Sequence, residues 1–331
     1  MLKVAINGFG RIGRTALRLL QQEKNIDVVA INDLTDPHQL AYLYKYDSVH
    51  RTINYKVDFD KDELFVKGKR IKVFAEPDPS KLPWKKLDVD VVLECTGVFT
   101  SAEACKAHID AGAKHVIISA PAKDDVKTIV YGVNDKILNK EDKIISAASC
   151  TTNCLAPVLK VLDDKYTIVK GFMTTVHAMT NDQETLDIPH KKGIESRRGR
   201  AASLNIIPTS TGAASQIGKV IPHLNGKMDG VAFRVPVGDG SVVDVTLELE
   251  KNATKEAINN MFKSHQSKTI KYTDDPIVSS DIIGEECGAI VDGLLTNVVE
   301  NNGKQLVKVV AWYDNEVGYT AQMIRTMKLF M

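Results

Sequence analysis

A short apolar run, Lys3-Val4-Ala5-Ile6-Asn7, leads directly into Gly8-Phe9-Gly10-Arg11-Ile12-Gly13. No other feature restricts the fold as much. A strand meeting glycines at this spacing turns tightly and enters a helix. The first two glycines let the backbone turn and approach a pyrophosphate, and the third lets helix and strand pack closely. Alone, the spacing is weak evidence. Asp33 strengthens it, because it stands 20 residues after Gly13, at the end of Val28-Val29-Ala30-Ile31-Asn32. A carboxylate there accepts from an adenosine ribose hydroxyl and repels a 2′-phosphate. Gly8, Gly10, Gly13 and Asp33 therefore read as a dinucleotide site for NAD in preference to NADP.

The alternation continues well beyond this turn. β-Branched runs at 4–6, 28–31, 91–93, 116–118 and 144–145 are separated by amphipathic stretches such as 14–23 and 102–111. That pattern builds a parallel sheet. Residues 51–75 differ, reading as an antiparallel insert of three short strands with a turn at Lys67-Gly68-Lys69. After residue 150 a helix at 151–166 must hold Pro157 in its first turns or bend there. Strand-like runs follow at 168–177, 228–235, 241–250, 289–299 and 305–312, with one helix at 254–265. The expected class is α/β: a Rossmann-type dinucleotide-binding domain over residues 1–149, then an α+β catalytic and oligomerisation domain with a mixed or antiparallel sheet over 150–316. The final helix, 317–331, is expected to return to the first domain.

Composition removes other classes. A chain of 331 residues with net charge +1 gives no reason to expect nucleic acid or membrane as partner. Five scattered cysteines, an odd number, do not form a disulfide framework and suit a reducing cytoplasm. The N-terminus shows no leader pattern, and no apolar stretch nears the ~20 residues of a membrane span.

The chemistry centres on Ser149-Cys150-Thr151-Thr152-Asn153-Cys154, which follows the apolar Ile144-Ile145-Ser146-Ala147. A cysteine where a strand turns into a helix meets unpaired N–H groups and the positive dipole end, which favour the nucleophilic thiolate. His177, at the end of the run 169–177, is the candidate base. The other histidines (38, 50, 108, 115, 190, 223 and 265) have no comparable context. Cys154 lies one helical turn on; a metal or disulfide reading lacks a second ligand pair, so no metal is expected and Cys154 reads as a buried thiol. Arg197-Arg198-Gly199-Arg200 lies in a long loop between Thr180 and Thr211, and Arg234 ends a strand. Thr209-Ser210-Thr211-Gly212 precedes another helix. Arginine forks and helix entries suit phosphate, which suggests two anion stations.

These residues resemble the phosphorylating glyceraldehyde-3-phosphate dehydrogenase family over essentially the whole chain. The matching stretches are VAINGFGRIGR (4–14), SAPAK (119–123), SCTTNCLAPV (149–158), TTVHA (174–178), TNDQ (180–183), RRGRAA (197–202), IIPTSTGAA (206–214), DGVAFRVP (229–236) and WYDNEVGY (312–319). The resemblance implies oxidation of glyceraldehyde 3-phosphate to 1,3-bisphosphoglycerate with NAD, through a hemithioacetal and a thioester on Cys150, with His177 as base. It implies that Thr180 and Arg234 hold the substrate phosphate, and that Ser149, Thr151, Arg198, Thr211 and Gly212 hold inorganic phosphate. Arg11, Ile12, Asp33, Ser119 and Asn315 correspond to cofactor contacts, with Pro77 contributing its backbone. Leu34 and Pro189 are of the types that NAD-using members carry. A cytoplasmic homotetramer in glycolysis is implied as well. Three positions depart from the pattern: Glu76-Pro77-Asp78 lacks an arginine, Val317 replaces a tryptophan, and the Lys191–Ser196 insert is longer. Two alternatives are an erythrose-4-phosphate dehydrogenase and a non-catalytic NAD-binding or redox-sensing protein.

Overall fold

β-Branched residues at alternate and consecutive positions make Leu2–Asn7 (β1) and Ile26–Asn32 (β2) strands buried along most of their length. In the computed structural model, which describes residues 1–191 and 193–331, they lie at the centre of one sheet. The others in that sheet are Val57–Phe59 (β3), Glu63–Val66 (β4), Lys69–Phe74 (β5), Val91–Glu94 (β6), His115–Ile118 (β7) and Ile144–Ser146 (β8). Among the described residues the order is β3-β4-β5-β2-β1-β6-β7-β8. From β5 to β8 all neighbours pair in parallel, and β3, β4 and β5 pair antiparallel. The insert is therefore antiparallel, as its turn signals predict; Lys67 and Gly68 make the turn with positive φ. Its last strand joins β2 and extends the sheet. The helices are Arg11–Leu20 (α1), Pro37–Lys45 (α2), Trp84–Leu87 (α3) and Ala102–Asp110 (α4). The strand order reverses at β1, whose neighbours are β2 and β6. Open α/β sheets bind ligands at such a switch point, outside the carboxyl ends of the strands.

The second sheet has mixed directions, as expected for an α+β domain. It contains Ile168–His177 (β9), Ile207–Ser210 (β10), Met228–Arg234 (β11), Ser241–Leu249 (β12), Ile270–Thr273 (β13), Ala289–Asp292 (β14), Asn297–Asn301 (β15) and Lys304–Tyr313 (β16). The order is β10-β11-β9-β12-β16-β14-β13, with β15 also on β16. Its helices are Cys150–Tyr166 (α5), Ala213–Val220 (α6) and Lys255–Ser264 (α7). Val317–Met327 (α8) ends the chain's regular structure apart from one 3₁₀ turn. Contacts group Met1–Ile129, Asp135–Ala148 and Met323–Met331 in one unit, and Val130–Asn134 with Ser149–Gln322 in another. Within the first unit, Lys328 pairs with Glu23 at 2.8 Å and Phe330 stacks on His115 at 4.1 Å.

Several sequence expectations need correction. The run 289–299 is not one strand: Asp292 accepts from the Leu294 N–H at 3.1 Å, forming a turn that separates buried β14 from exposed β15. The apolar pair Leu294-Leu295 hides this turn in the sequence. The short strands β10 and β13 escape the reading, one containing Pro208 and both only 4 residues long. Of the two alternatives for Pro157, a place in the first turns is ruled out: it lies in the interior of α5, where no helical bond to the Asn153 carbonyl can form.

Candidate active site

The cofactor features of the first unit lie at the carboxyl ends of β1, β2 and β6. Gly8 has φ +89°, and a Cβ there would stand 2.6 Å from the Thr96 nitrogen. A Cβ on Gly13 would stand 2.2 Å from the Gly8 carbonyl oxygen. Packing thus requires both glycines. Gly10 differs: it caps α1 with φ −71°, and its added Cβ would meet nothing within 4 Å. The chain's own sterics do not demand glycine at this position, whereas close approach of a pyrophosphate would. Arg11 and Ile12 open α1, and the Arg11 guanidinium is paired with Asp47. Asp33 is oriented by two main-chain donors, Phe9 N–H at 2.7 Å and Thr35 N–H at 3.0 Å. Pro77 is exposed, and Ser119 follows β7 with its N–H donated to Glu94 at 2.9 Å. The residues present fit a dinucleotide.

In the second unit, Ser149 caps α5 by accepting from the Thr152 N–H at 3.0 Å, so Cys150 begins the helix. The parallel register of β9 and β11 sets His177 beside Arg234 at the two strand ends. Cys150 Sγ lies 3.3 Å from His177 Nε2. His177 Nδ1 lies between the Ala178 carbonyl oxygen at 2.7 Å and Arg234 Nη1 at 2.8 Å. The tautomer with its proton on Nδ1, bonded to the carbonyl, is the one that leaves a lone pair on Nε2 facing the sulfur. In it Arg234 directs its N–H groups to oxygen rather than to the ring. Arg234 Nη1 lies 2.8 Å from His177 Nδ1 and donates to the Ala178 carbonyl and to Thr180 Oγ1, both at 3.1 Å.

Burial here opposes the preference for thiolate that the helix entry provides. Burial pushes the Cys150 thiol up, against the Arg234 charge and hydrogen bonds from Thr151. The Thr151 main-chain N–H at the helix entry lowers the cost of the thiolate, and desolvation is the larger effect. Burial, then Arg234, lowers His177 to about 3, so its imidazole is neutral at physiological pH. The pair is a neutral thiol and a neutral base.

The candidate phosphate residues fall into distinct surroundings. Thr180 donates to Asp182, and Asp182 also pairs with Arg198. Thr211 Oγ1 accepts from the Ala213 N–H at 3.2 Å, and Gly212 is the exposed cap of α6. The Thr151 hydroxyl is buried and hydrogen-bonded to Tyr313 Oη at 2.9 Å, leaving its main chain, not its side chain, on the helix end. Asn315 is buried and accepts from Ser241 Oγ at 2.6 Å. Arg197 is exposed, and Arg200 pairs with Asp187 at 2.9 Å. Cys154 is buried, with its sulfur toward the Ala311 carbonyl at 3.8 Å. Lys192, in the insert singled out from sequence, lies outside the described residues.

Sequence reasoning passed over Tyr313 and Asp182. Tyr313 bridges Thr151 and Thr175, the latter at 2.8 Å, and its ring meets His177 edge-on at 5.9 Å. It therefore ties the start of α5 to β9. Both residues stand inside the quoted motifs, WYDNE and TNDQ, which carried the only signal available.

A switch-point parallel sheet with this glycine turn and carboxylate, joined to a mixed-sheet unit, defines a Rossmann-type dinucleotide-binding protein of two domains. Residues 2–102 match the model for the glyceraldehyde 3-phosphate dehydrogenase NAD binding domain, and residues 149–315 match that family's C-terminal domain. The chain is 56% identical over 330 residues to the glyceraldehyde-3-phosphate dehydrogenases of Clostridium pasteurianum and Clostridium acetobutylicum. It is 51% identical over 331 residues to that of Streptococcus pyogenes; in each case the alignment covers 100% of this chain and 98% of the relative. The chain belongs to the glyceraldehyde-3-phosphate dehydrogenase family of NAD-dependent oxidoreductases.

Proposed function

We propose that this protein is a phosphorylating glyceraldehyde-3-phosphate dehydrogenase of glycolysis, with residues 1–149 as its NAD-binding domain and 150–316 as its catalytic and oligomerisation domain. The carrying observation is the 3.3 Å approach of Cys150 Sγ to His177 Nε2. His177 takes the thiol proton as the sulfur attacks the aldehyde carbon, giving a hemithioacetal. Neutral His177 and raised Cys150 mean that deprotonation accompanies attack rather than preceding it. A bound NAD would supply the hydride acceptor; loss of the hydride from that carbon, with the hemithioacetal hydroxyl proton passing to His177, leaves a thioester on Cys150. Inorganic phosphate then attacks the thioester carbonyl, releasing 1,3-bisphosphoglycerate and the thiol.

Arg234 and Thr180 hold the substrate's own phosphate. Arg198, Thr211, Gly212, Ser149 and the main chain of Thr151 serve the inorganic phosphate. Gly8, Gly10, Arg11, Ile12, Gly13, Asp33, Pro77, Ser119 and Asn315 hold NAD. Self-association, as a homotetramer by family resemblance, is supported by one face of the β9–β11 pair, where Phe172 is 72% and Val231 46% exposed. The described residues contain no helix long and apolar enough to cross a membrane. A cytoplasmic setting suits five free cysteines.

The test is NAD reduction with glyceraldehyde 3-phosphate and with erythrose 4-phosphate, each with and without inorganic phosphate. Phosphate-dependent turnover preferring the triose supports the reading. Preference for the tetrose, or NAD binding without turnover, overturns it.

A further inference from the structure

Four polar side chains in the first unit, Asn7, Asn32, Glu94 and His108, are each no more than 5% exposed. Burying such groups is unfavourable unless each is hydrogen-bonded, and here their bonds form one chain whose donors converge on the Glu94 carboxylate from both sides. Trp84 Nε1–H can only donate, and it lies 3.0 Å from His108 Nδ1. That ring nitrogen must accept, so the proton is on Nε2, 3.2 Å from Glu94 Oε2. Glu94 also accepts from Asn7 Nδ2 at 2.5 Å and from the Thr96 N–H at 2.8 Å. Asn7 Oδ1 accepts from Asn32 Nδ2 at 2.7 Å. Asn32 closes the chain by donating to the Glu76 carbonyl and accepting from the Glu76 N–H, both at 2.9 Å.

The placement is specific. Asn7 is the last residue of β1, one before Gly8; Asn32 is the last of β2, one before Asp33; Glu94 is the last of β6. Thr96, held by Glu94, has the main chain against which Gly8 packs. Glu76, held by Asn32, precedes Pro77. A generic Rossmann core could pair these strand ends with apolar residues; this chain instead links each cofactor segment to the next through side chains.

We propose that Asn7, Asn32, Glu94 and His108 are positioning residues for NAD, setting the spacing of the glycine turn, Asp33 and the Glu76-Pro77 segment before the cofactor arrives. The proposal rests on the reading of this unit as the NAD site. Preset spacing spares the cofactor the cost of ordering its own site, so its loss weakens binding more than it slows chemistry.

The test measures dissociation constants for NAD and ADP-ribose, kcat at saturating NAD, and Tm, for the whole protein and two variants. Asn32→Ala should weaken both ligands about tenfold while kcat stays within about twofold. His108→Leu, which cuts the chain at the end facing Trp84, should weaken them by a smaller factor. Lowered Tm with unchanged affinity for both ligands would make the chain structural only and overturn the proposal. Hydrogen exchange on the unaltered protein decides the matter if either variant does not fold. Amides 8, 9, 95 and 96, which donate within this segment, should be protected without NAD, whereas protection gained only on adding NAD would overturn preset spacing. Failure of the unaltered protein to bind NAD would instead sink the dehydrogenase reading itself.

Discussion

Arg234 and His177 face one another in register across the parallel strands β11 and β9, with Arg234 Nη1 2.8 Å from His177 Nδ1. One arginine thus borders the base, the Ala178 carbonyl that orients it, and Thr180. Its charge disfavours imidazolium and favours thiolate. If Arg234 holds the substrate phosphate as proposed, substrate binding and the proton balance of the pair are coupled through a single side chain.

Cys150→Ser should lose dehydrogenase activity by several orders of magnitude and keep its affinity for NAD, because an alkoxide is far harder to form than a thiolate. Steady-state turnover and NAD titration check both parts. Cys154→Ser, altering a buried thiol outside the cysteine–histidine pair, should be much milder.

His177→Asn should lower kcat by roughly 10²–10⁴, the worth of a positioned general base. The pH dependence of iodoacetamide labelling offers a second check. His177 is held at about 3, so wild-type labelling should show no step near 6.5 and should rise only as the thiol ionises in the alkaline range. The same depressed value has a stability consequence: His177 contributes fully above its unfolded pKa of 6.5, and the contribution is lost as pH falls toward 3. Urea titrations should show the stability of wild type relative to His177→Asn shrinking over that window.

Arg234→Leu should hurt glyceraldehyde 3-phosphate strongly and unphosphorylated glyceraldehyde little. A charge-assisted contact is worth about 1.5–3 kcal/mol, so discrimination should fall roughly ten- to a hundredfold. Labelling of Cys150 should also shift to higher pH. Arg198→Leu should instead raise the inorganic phosphate requirement. Identical profiles for the two variants across a phosphate titration would refute the assignment of separate stations.

Asp33→Ala should narrow the preference for NAD over NADP, which in the unaltered protein should exceed about tenfold in kcat/KM. The mutation also frees the Phe9 and Thr35 N–H groups that orient the carboxylate. Comparing both cofactors in both proteins checks it.

Asp239 is raised to about 9 by burial and by the neighbouring carboxylates Asp314 and Glu316. A group raised in the folded state contributes below its unfolded value of 3.8 and loses that contribution as pH climbs toward 9. Asp239→Asn should therefore gain stability relative to wild type as pH rises from about 5 to 9, read as the difference in Tm.

Local sequence determined much of this protein. The glycine spacing at 8–13 specifies a strand–turn–helix because only glycine tolerates φ +89° at Gly8 and the 2.2 Å approach at Gly13. The cap at Ser149 and the strand end at His177 are likewise local, since capping and β-propensity act over a few residues. Tertiary structure decided the rest. Parallel pairing of β9 with β11 sets Arg234 against His177 although 57 residues separate them, and nothing in either segment encodes the partner. Burial decided the protonation states. A helix entry favours thiolate and a free histidine titrates near neutrality, but desolvation, which depends on everything packed around the pair, raises Cys150 and keeps His177 neutral. His108, featureless in the sequence, became a link beneath the glycine turn only because α4 set it against Glu94 at the end of β6.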